Sequence, residues 1–142
     1  MKTAGFGLVE VLVATAVVTV GVVSLARLFV VSGVASGTAK AISITALLAE
    51  QKMEALRGEL SGPDPSPPAA LSVNTDGYYE YLDARGQSLG APGWSPPGAV
   101  YVCRWSARPL SGGRTIVLQV LVTPQTTTRG ATRLVSAKRK AR

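Results

Sequence analysis

The chain has 142 residues, of which 46% are hydrophobic, and its formal net charge at pH 7 is +7. Once a long apolar segment near the start is set aside, this length leaves room for one compact domain at most. The single cysteine excludes an intramolecular disulfide, and the absence of histidine removes the commonest general base and the commonest metal ligand.

The apolar segment begins after a short N-terminal stretch and has one acid at its front. No charged residue lies between Glu10 and Arg27, and the apolar character resumes at 28–31. About 20 apolar residues span a bilayer, so the segment is predicted to be a membrane-spanning helix. A carboxylate there costs roughly 2.5–3.5 kcal/mol, and it therefore indicates a functional site that needs a partner. A cut between Gly5 and Phe6 would supply that partner, because the new α-amino group of Phe6 is a cation.

The Gly5-Phe6 junction, Glu10 and the apolar run that follows resemble the N-terminal signature of type IV pilins and type II secretion pseudopilins. The resemblance implies that residues 1–5 are a leader, with Lys2 as its only charge, and that a prepilin peptidase removes it. It also implies that Phe6 is then N-methylated and that Glu10 is the carboxylate needed for assembly.

Three other classes compete with this interpretation. A secretory signal peptide has an apolar core of about 7–15 residues, whereas this run is longer, begins with an acid and offers only a weak cleavage site at 34–36. An unprocessed signal anchor fits the length but leaves Glu10 unexplained, unless the acid sits among lipid headgroups. A buried helix of a soluble protein is disfavoured, since the rest of the chain is too small to cover it.

The absence of proline from Phe6 to about Leu60 predicts one very long helix. At about 1.5 Å per residue it would extend over roughly 80 Å. The Ser-Gly pairs at 32–33 and 36–37 lower helix propensity by up to about 1 kcal/mol per glycine, which predicts a continuous helix with a soft centre.

Beyond residue 37 the helix is predicted to be amphipathic, with its charged residues off an apolar stripe. The stripe, at three- and four-residue spacing, consists of Ile42, Thr45, Ala46, Ala49, Met53, Leu56 and Leu60. Such a stripe needs a sheet or another helix to cover it. The segment 48–57 also resembles the helix end of one branch of the family, the PilV-type minor pilins and the pseudopilin I of type II secretion.

The proline-rich segment 62–68 is predicted to be a stiff, exposed linker, because proline lacks the amide donor of a helix or a central strand. Alternating segments after it predict strands at 77–82, 100–107 and 115–122, the last two joined by a hairpin turn at 109–114. These two strands resemble the same branch more loosely.

Four side chains in this region are assigned to its packing. Trp94 lies in a loop rich in proline and glycine, and we predict that it anchors the loop. Tyr101, Cys103 and Trp105 alternate along one strand and share a face, where Cys103 most simply serves as a small buried hydrophobe.

The predicted fold class is α+β: a long N-terminal helix, membrane-spanning in its first half and amphipathic in its second, packed on a small antiparallel sheet of three or four strands. The predicted organisation is a leader at 1–5, a membrane or filament-core helix at 6–31, an amphipathic helix at 32–60 and a small β-domain with a basic tail at 61–142.

The last fourteen residues contain no acid and six cations, namely Arg129, Arg133, Lys138, Arg139, Lys140 and Arg142. We predict a solvated, frayed terminus. The alternatives are attraction to acidic lipid headgroups, or binding of nucleic acid phosphates through all of these cations except the first.

Catalysis is not predicted. The available carboxylates are not marked as converging on one pocket, and Ser72 or Ser106 would need a base that no histidine can supply. The candidates considered were Asp64, Asp76, Glu80, Asp83 and Cys103. The sequence also has neither a glycine-rich phosphate cradle nor Cys/His metal spacing, so no cofactor and no metal are expected.

The sequence therefore predicts a minor pilin, a structural subunit processed by prepilin peptidase and assembled in a type IV pilus or priming one. Alternatives are a type II secretion pseudopilin, a DNA-uptake pilus subunit and, outside the class, an unprocessed membrane-anchored binding module. The resemblance implies three partners: other pilins through the N-terminal helix, the peptidase that also methylates, and an inner-membrane assembly platform. It implies a single-pass protein of the bacterial inner membrane with a periplasmic C-terminal domain, later part of a pilus or pseudopilus.

Overall fold

The structure, a computed structural model, describes residues 7–59, 64–110, 114–126 and 129–139. Its elements in chain order are helix α1 (Leu8–Gly58) and strands β1 (Tyr79–Leu82), β2 (Tyr101–Pro109), β3 (Thr115–Pro124) and β4 (Thr132–Arg139). The strands form one antiparallel sheet in the order β1-β2-β3-β4, so the predicted α+β fold class is confirmed. The chain divides into two compact units, Met1–Gly37 and Thr38–Arg142.

The part of α1 in the first unit exposes its apolar side chains on every side. All residues from 7 to 37 are exposed, with Leu8 at 79% and Phe29 at 77%. The helix is uninterrupted through both Ser-Gly pairs, so the predicted continuity is confirmed. By length and composition α1 is able to cross a membrane.

The second half of α1 covers one face of the sheet. Its buried residues are Thr45, Leu48, Ala49, Met53 and Leu56. They pack against inward-facing residues of β2 and β3, among which Cys103, Leu118, Val120 and Val122 are 0% exposed. This interface is the hydrophobic core of the second unit.

The predicted stripe was wrong at one position. Ile42 is 47% exposed, whereas Leu48, which the stripe omitted, is 7% exposed and belongs to the core. Periodicity defines the apolar side of a helix only approximately. Packing against the sheet determines that the buried side runs through Thr45 and Ala49. Leu60, also predicted in the stripe, lies outside the described residues.

The prediction of a frayed C-terminal tail was wrong for most of that segment, because residues 132–139 form strand β4. This strand pairs with β3 at every position from Val122↔Thr132 to Thr115↔Arg139. Pairing with β3 satisfies the backbone groups on one edge of the strand, and alternate residues pack toward α1. The many cations in the segment conceal this alternation in the sequence.

A contact between α1 and the start of β4, including Gly130 just before the strand, joins the helix to the sheet. The Thr45 hydroxyl lies 2.7 Å from the Gly130 carbonyl and 2.7 Å from the Thr132 hydroxyl, and Thr45 is 0% exposed. Gly130 has a φ of +87°, and a Cβ there would lie 2.8 Å from Ala41 Cβ. Both the backbone angle and the close approach to α1 therefore require glycine.

The remaining connections differ in how well the sequence predicted them. Residues 64, 65, 67 and 68 of the proline-rich linker are exposed as predicted, although the Ser66 backbone N–H donates to the Ala107 carbonyl at 2.9 Å. The prediction that Trp94 anchors its loop was wrong, since the residue is 63% exposed. Tyr79 holds that loop instead, because its hydroxyl donates to the Pro92 carbonyl at 2.8 Å.

Candidate functional site

Glu10 lies in the first turn of α1 and is exposed. Its backbone N–H donates to the Gly7 carbonyl at 2.9 Å, which fixes it within the helix. The ion pairs among the described residues are Lys52–Glu80 and Glu54–Arg57, so the Glu10 carboxylate is in neither. Arg27, the next charged residue along α1, is about 25 Å away at 1.5 Å per residue, too far to pair with it.

The helix surface beside Glu10 offers the carboxylate no hydroxyl proton. Glu10 shares a shallow groove with Val11, Ala14, Thr15, Val18 and Thr19. The Thr15 hydroxyl lies 2.9 Å from the Val11 carbonyl, and the Thr19 hydroxyl donates to the Thr15 carbonyl at 2.7 Å. Internal bonding of this kind satisfies the hydroxyls of an apolar helix, and among the described residues that line this groove the carboxylate is the only ionic group.

Gly5 and Phe6, at the predicted cleavage junction, lie outside the described residues. Cleavage and N-methylation thus stay predictions, and the part of the N-terminal signature that the structure places is Glu10 with the apolar helix after it.

Of the cations predicted to bind nucleic acid, the three that the structure describes do not all lie on one face of the sheet. The Lys138 ammonium donates to the Arg57 carbonyl at 2.6 Å and also to the Glu59 carbonyl, so it caps the C-terminal end of α1. Arg133 and Arg139 are exposed on the opposite face of the sheet, and Arg133 donates to the Gln119 side-chain carbonyl. Lys140 and Arg142 lie outside the described residues.

A charged cluster between α1 and the sheet was missed by the sequence reasoning, which placed Lys52 on the polar side of the helix. The Lys52 ammonium lies 3.0 Å from the Glu80 carboxylate and 3.6 Å from the centroid of the Trp105 ring. The two ionic side chains are only 21% and 19% exposed. The sequence carries no signal for this cluster, because Lys52, Glu80 and Trp105 lie on three separate elements.

Several residues that were candidates for catalysis stabilise a turn or are buried in the fold. One Asp83 carboxylate oxygen accepts the backbone N–H groups of Arg85 and Gln87 at 2.8 Å each, which stabilises a turn. Burial, with the nearby Glu80 carboxylate as a smaller cause, raises the pKa of the Cys103 thiol to about 12. A thiol of this kind stays protonated at neutral pH and is a poor nucleophile. The Ser106 hydroxyl is buried without a hydrogen-bond partner among the described residues.

Within the described ranges, no group of three or more Cys, Asp or Glu residues is placed to hold a metal ion. Asp64 and Asp76 are exposed, and Glu80 is engaged by Lys52 and by the Ser88 hydroxyl, which donates at 2.7 Å. The structure therefore does not bring the candidate carboxylates together in one pocket.

Comparison with known proteins adds no assignment: no family model matches the chain, and no curated protein or solved structure matches it.

Proposed function

We propose that this chain is a minor pilin, a structural subunit that prepilin peptidase cleaves between Gly5 and Phe6 and that then assembles in or primes a type IV pilus. The observation that carries the proposal is Glu10: a single carboxylate, without an ionic partner in the described structure, at the start of a long helix whose first half is apolar and fully exposed. A helix followed by a small antiparallel sheet is the architecture that the resemblance implies, and this chain has it.

The partner of Glu10 in this proposal is the α-amino group of Phe6 in a neighbouring subunit. Breaking a buried ion pair by removing one partner costs about 3–5 kcal/mol, because it leaves an uncompensated charge in an apolar surrounding. A helix that slides along its neighbour by one turn separates the two charges by about 5.4 Å. The pairing therefore selects one axial position for each incoming subunit, and a wrong position carries the cost of two unpaired charges.

The surface of the helix supports both stages of the proposed life of the subunit. Exposed apolar side chains surround residues 8–37, and the hydroxyls of Thr15, Thr19 and Ser24 bond to carbonyls of their own helix. Before cleavage such a helix is stable in lipid, where each backbone and side-chain polar group must be satisfied internally. After cleavage the same surface packs among other helices in a filament core.

In this scheme the protein is first a single-pass protein of the bacterial inner membrane, with the unit from Thr38 onward in the periplasm. Prepilin peptidase and the assembly platform are its partners there, and other pilins are its partners in the filament.

The first experiment is an intact mass and an N-terminal sequence of the protein isolated from native membranes. The proposal requires a chain that begins at N-methylated Phe6 and lacks residues 1–5. A chain that begins at Met1 in both membrane and filament fractions contradicts the proposal and favours an unprocessed, membrane-anchored binding module.

The charge-pairing mechanism is tested separately with Glu10→Gln, which keeps the shape of the side chain and removes its charge. If pairing is worth 3 kcal/mol, incorporation into sheared filaments falls by roughly 100-fold, while the amount in the membrane stays the same. Glu50→Gln is the matched control, because Glu50 is also an exposed acid of α1. Normal incorporation of Glu10→Gln, or an equal loss in both variants, contradicts the pairing.

A further inference from the structure

The face of the sheet that α1 leaves uncovered contains a cleft that takes no part in the proposed assembly. The cleft has a volume of about 520 Å³, and its lining includes Asn74, Tyr81, Arg104, Thr123 and Gln125. A volume of this size is within the range of roughly 300–1,000 Å³ that is typical of small-molecule sites. None of the residues that line the cleft is acidic.

Arg104 is held in place by two successive hydrogen bonds. Its Nε–H donates to the Asn74 side-chain carbonyl at 2.8 Å, and the Asn74 amide nitrogen in turn donates to the Tyr81 hydroxyl at 3.0 Å. Tyr81 is 6% exposed and is therefore a fixed support. The terminal nitrogens Nη1 and Nη2 of Arg104 form no hydrogen bond or ion pair with the described residues, so this end of the guanidinium is available to a ligand.

The hydrogen bonds already made around the cleft occupy acceptors and leave donors. The Asn74 carbonyl is taken by Arg104, and the Tyr81 hydroxyl accepts from Asn74, which leaves its own proton to donate. The Gln125 side-chain carbonyl accepts from the Ser95 hydroxyl at 2.9 Å, which leaves its amide N–H groups. A cleft with one cation and several spare donors favours a ligand that only accepts hydrogen bonds.

A second cation lies on the same face of the sheet as Arg104. Arg104 pairs in register with Leu121, and Leu121 pairs with Arg133 on the next strand. Two strand spacings of about 4.8 Å put these arginines roughly 10 Å apart. The acid of β1, Glu80, is engaged by Lys52 of α1 and does not line the cleft.

We propose that this cleft is a binding site for a small organic oxyanion, a carboxylate or a phosphomonoester, held in the fork of Arg104 Nη1 and Nη2. Arginine forms two parallel hydrogen bonds to either group, and these charge-assisted bonds are among the strongest in proteins. Tyr81 and Gln125 then donate to the remaining lone pairs of the oxyanion, while the body of the ligand fills the rest of the cleft. The proposal does not depend on cleavage, on Glu10 or on filament assembly.

The test uses the full chain in nonionic detergent micelles and follows the Nε–Hε resonance of Arg104 by NMR. Inorganic phosphate and succinate are titrated in separate arms at constant ionic strength. Saturation by phosphate alone assigns the site to phosphates, saturation by succinate alone assigns it to carboxylates, and saturation by both assigns it to oxyanions in general. Failure of both probes to saturate below roughly 10 mM overturns the proposal.

Two variants and one control separate a site from general attraction to a basic surface. Arg104→Lys keeps the charge but loses the fork, and at least a tenfold weaker affinity is expected. Asn74→Asp presents an internal carboxylate to Arg104, so binding is lost while the stability of the fold is kept or improved. Arg108→Lys is the control, because Arg108 is an exposed arginine on the same strand and outside the cleft. Equal weakening by Arg104→Lys and Arg108→Lys overturns the proposal.

Discussion

Cys103 allows a prediction about alkaline pH whose size follows from its burial. The residue is 0% exposed, in the core between α1 and the sheet. Burial raises the pKa of its thiol from 9.0 to about 12 in the folded chain. The unfolded chain exposes the thiol to water and returns it to the ordinary value, so the two states bind the proton differently between these pH values.

The sign of the effect follows from which state releases its proton first. Below pH 9.0 the thiol is protonated in both states and its contribution to stability is fully present. As the pH rises further, the unfolded chain releases the proton while the folded chain retains it, so the free energy of unfolding falls until the folded pKa is passed. At about 1.36 kcal/mol per pKa unit, the loss between pH 7 and pH 10.5 is about 2 kcal/mol, and near pH 12 it approaches about 4 kcal/mol.

The assay is denaturant unfolding of the full chain in micelles, under reducing conditions, at several pH values from 7 to 10.5. Tryptophan fluorescence reports on the second unit, because Trp105 contacts its core. Cys103→Ala is the comparison: other alkaline groups titrate in both proteins, so the difference between the two curves isolates the thiol. The wild-type curve should fall by about 2 kcal/mol more than that of the variant. Parallel curves would refute the argument from burial.

Two further predictions concern the contacts between α1 and the sheet. Thr45→Val leaves the Gly130 carbonyl and the Thr132 hydroxyl without the Thr45 hydroxyl and should lower the free energy of unfolding by about 1–3 kcal/mol, whereas Thr45→Ser should retain most of it. Loss of stability equal in both variants would contradict the role of the hydroxyl. Lys52→Met leaves Glu80 without its cation and should cost about 2 kcal/mol, between the values for exposed and buried pairs. Glu54→Gln, which breaks a pair that is 46% and 69% exposed, should cost less than about 1 kcal/mol, and an equal cost in the two variants would contradict the effect of burial.

Much of the fold could be predicted from local patterns. The extent of α1 follows from the absence of proline and from the apolar run, and the pairing of β2 with β3 follows from two alternating segments joined by a turn. β4 could not be predicted in the same way, because its cations conceal the alternation and its position depends on a register with β3. The exposed Trp94 was mistaken for an anchor, since a sequence does not show which aromatic residue of a loop reaches the core.

Of the two candidate sites, one could be found from the sequence and the other only from the structure. Glu10 could be singled out because its significance is local: one acid at the front of a long uncharged segment. The Arg104 cleft could not be found in this way, because Asn74, Tyr81 and Arg104 come from three segments that only the folded sheet brings together. No pattern along the chain indicates that a hydrogen bond from Arg104 to Asn74 leaves the fork of the guanidinium available.

The sequence by itself determined the properties that depend on neighbours along the chain: the apolar helix, its single carboxylate and most of the strands. Only the tertiary structure decided which line of the helix is buried, that Lys138 caps α1 and that Cys103 lies where its thiol resists ionisation. The physical reason is that burial and ionic pairing depend on residues far away in sequence. Residues 45 and 130, or 52 and 80, become partners only when the register of the sheet and the rotation of the helix are both fixed.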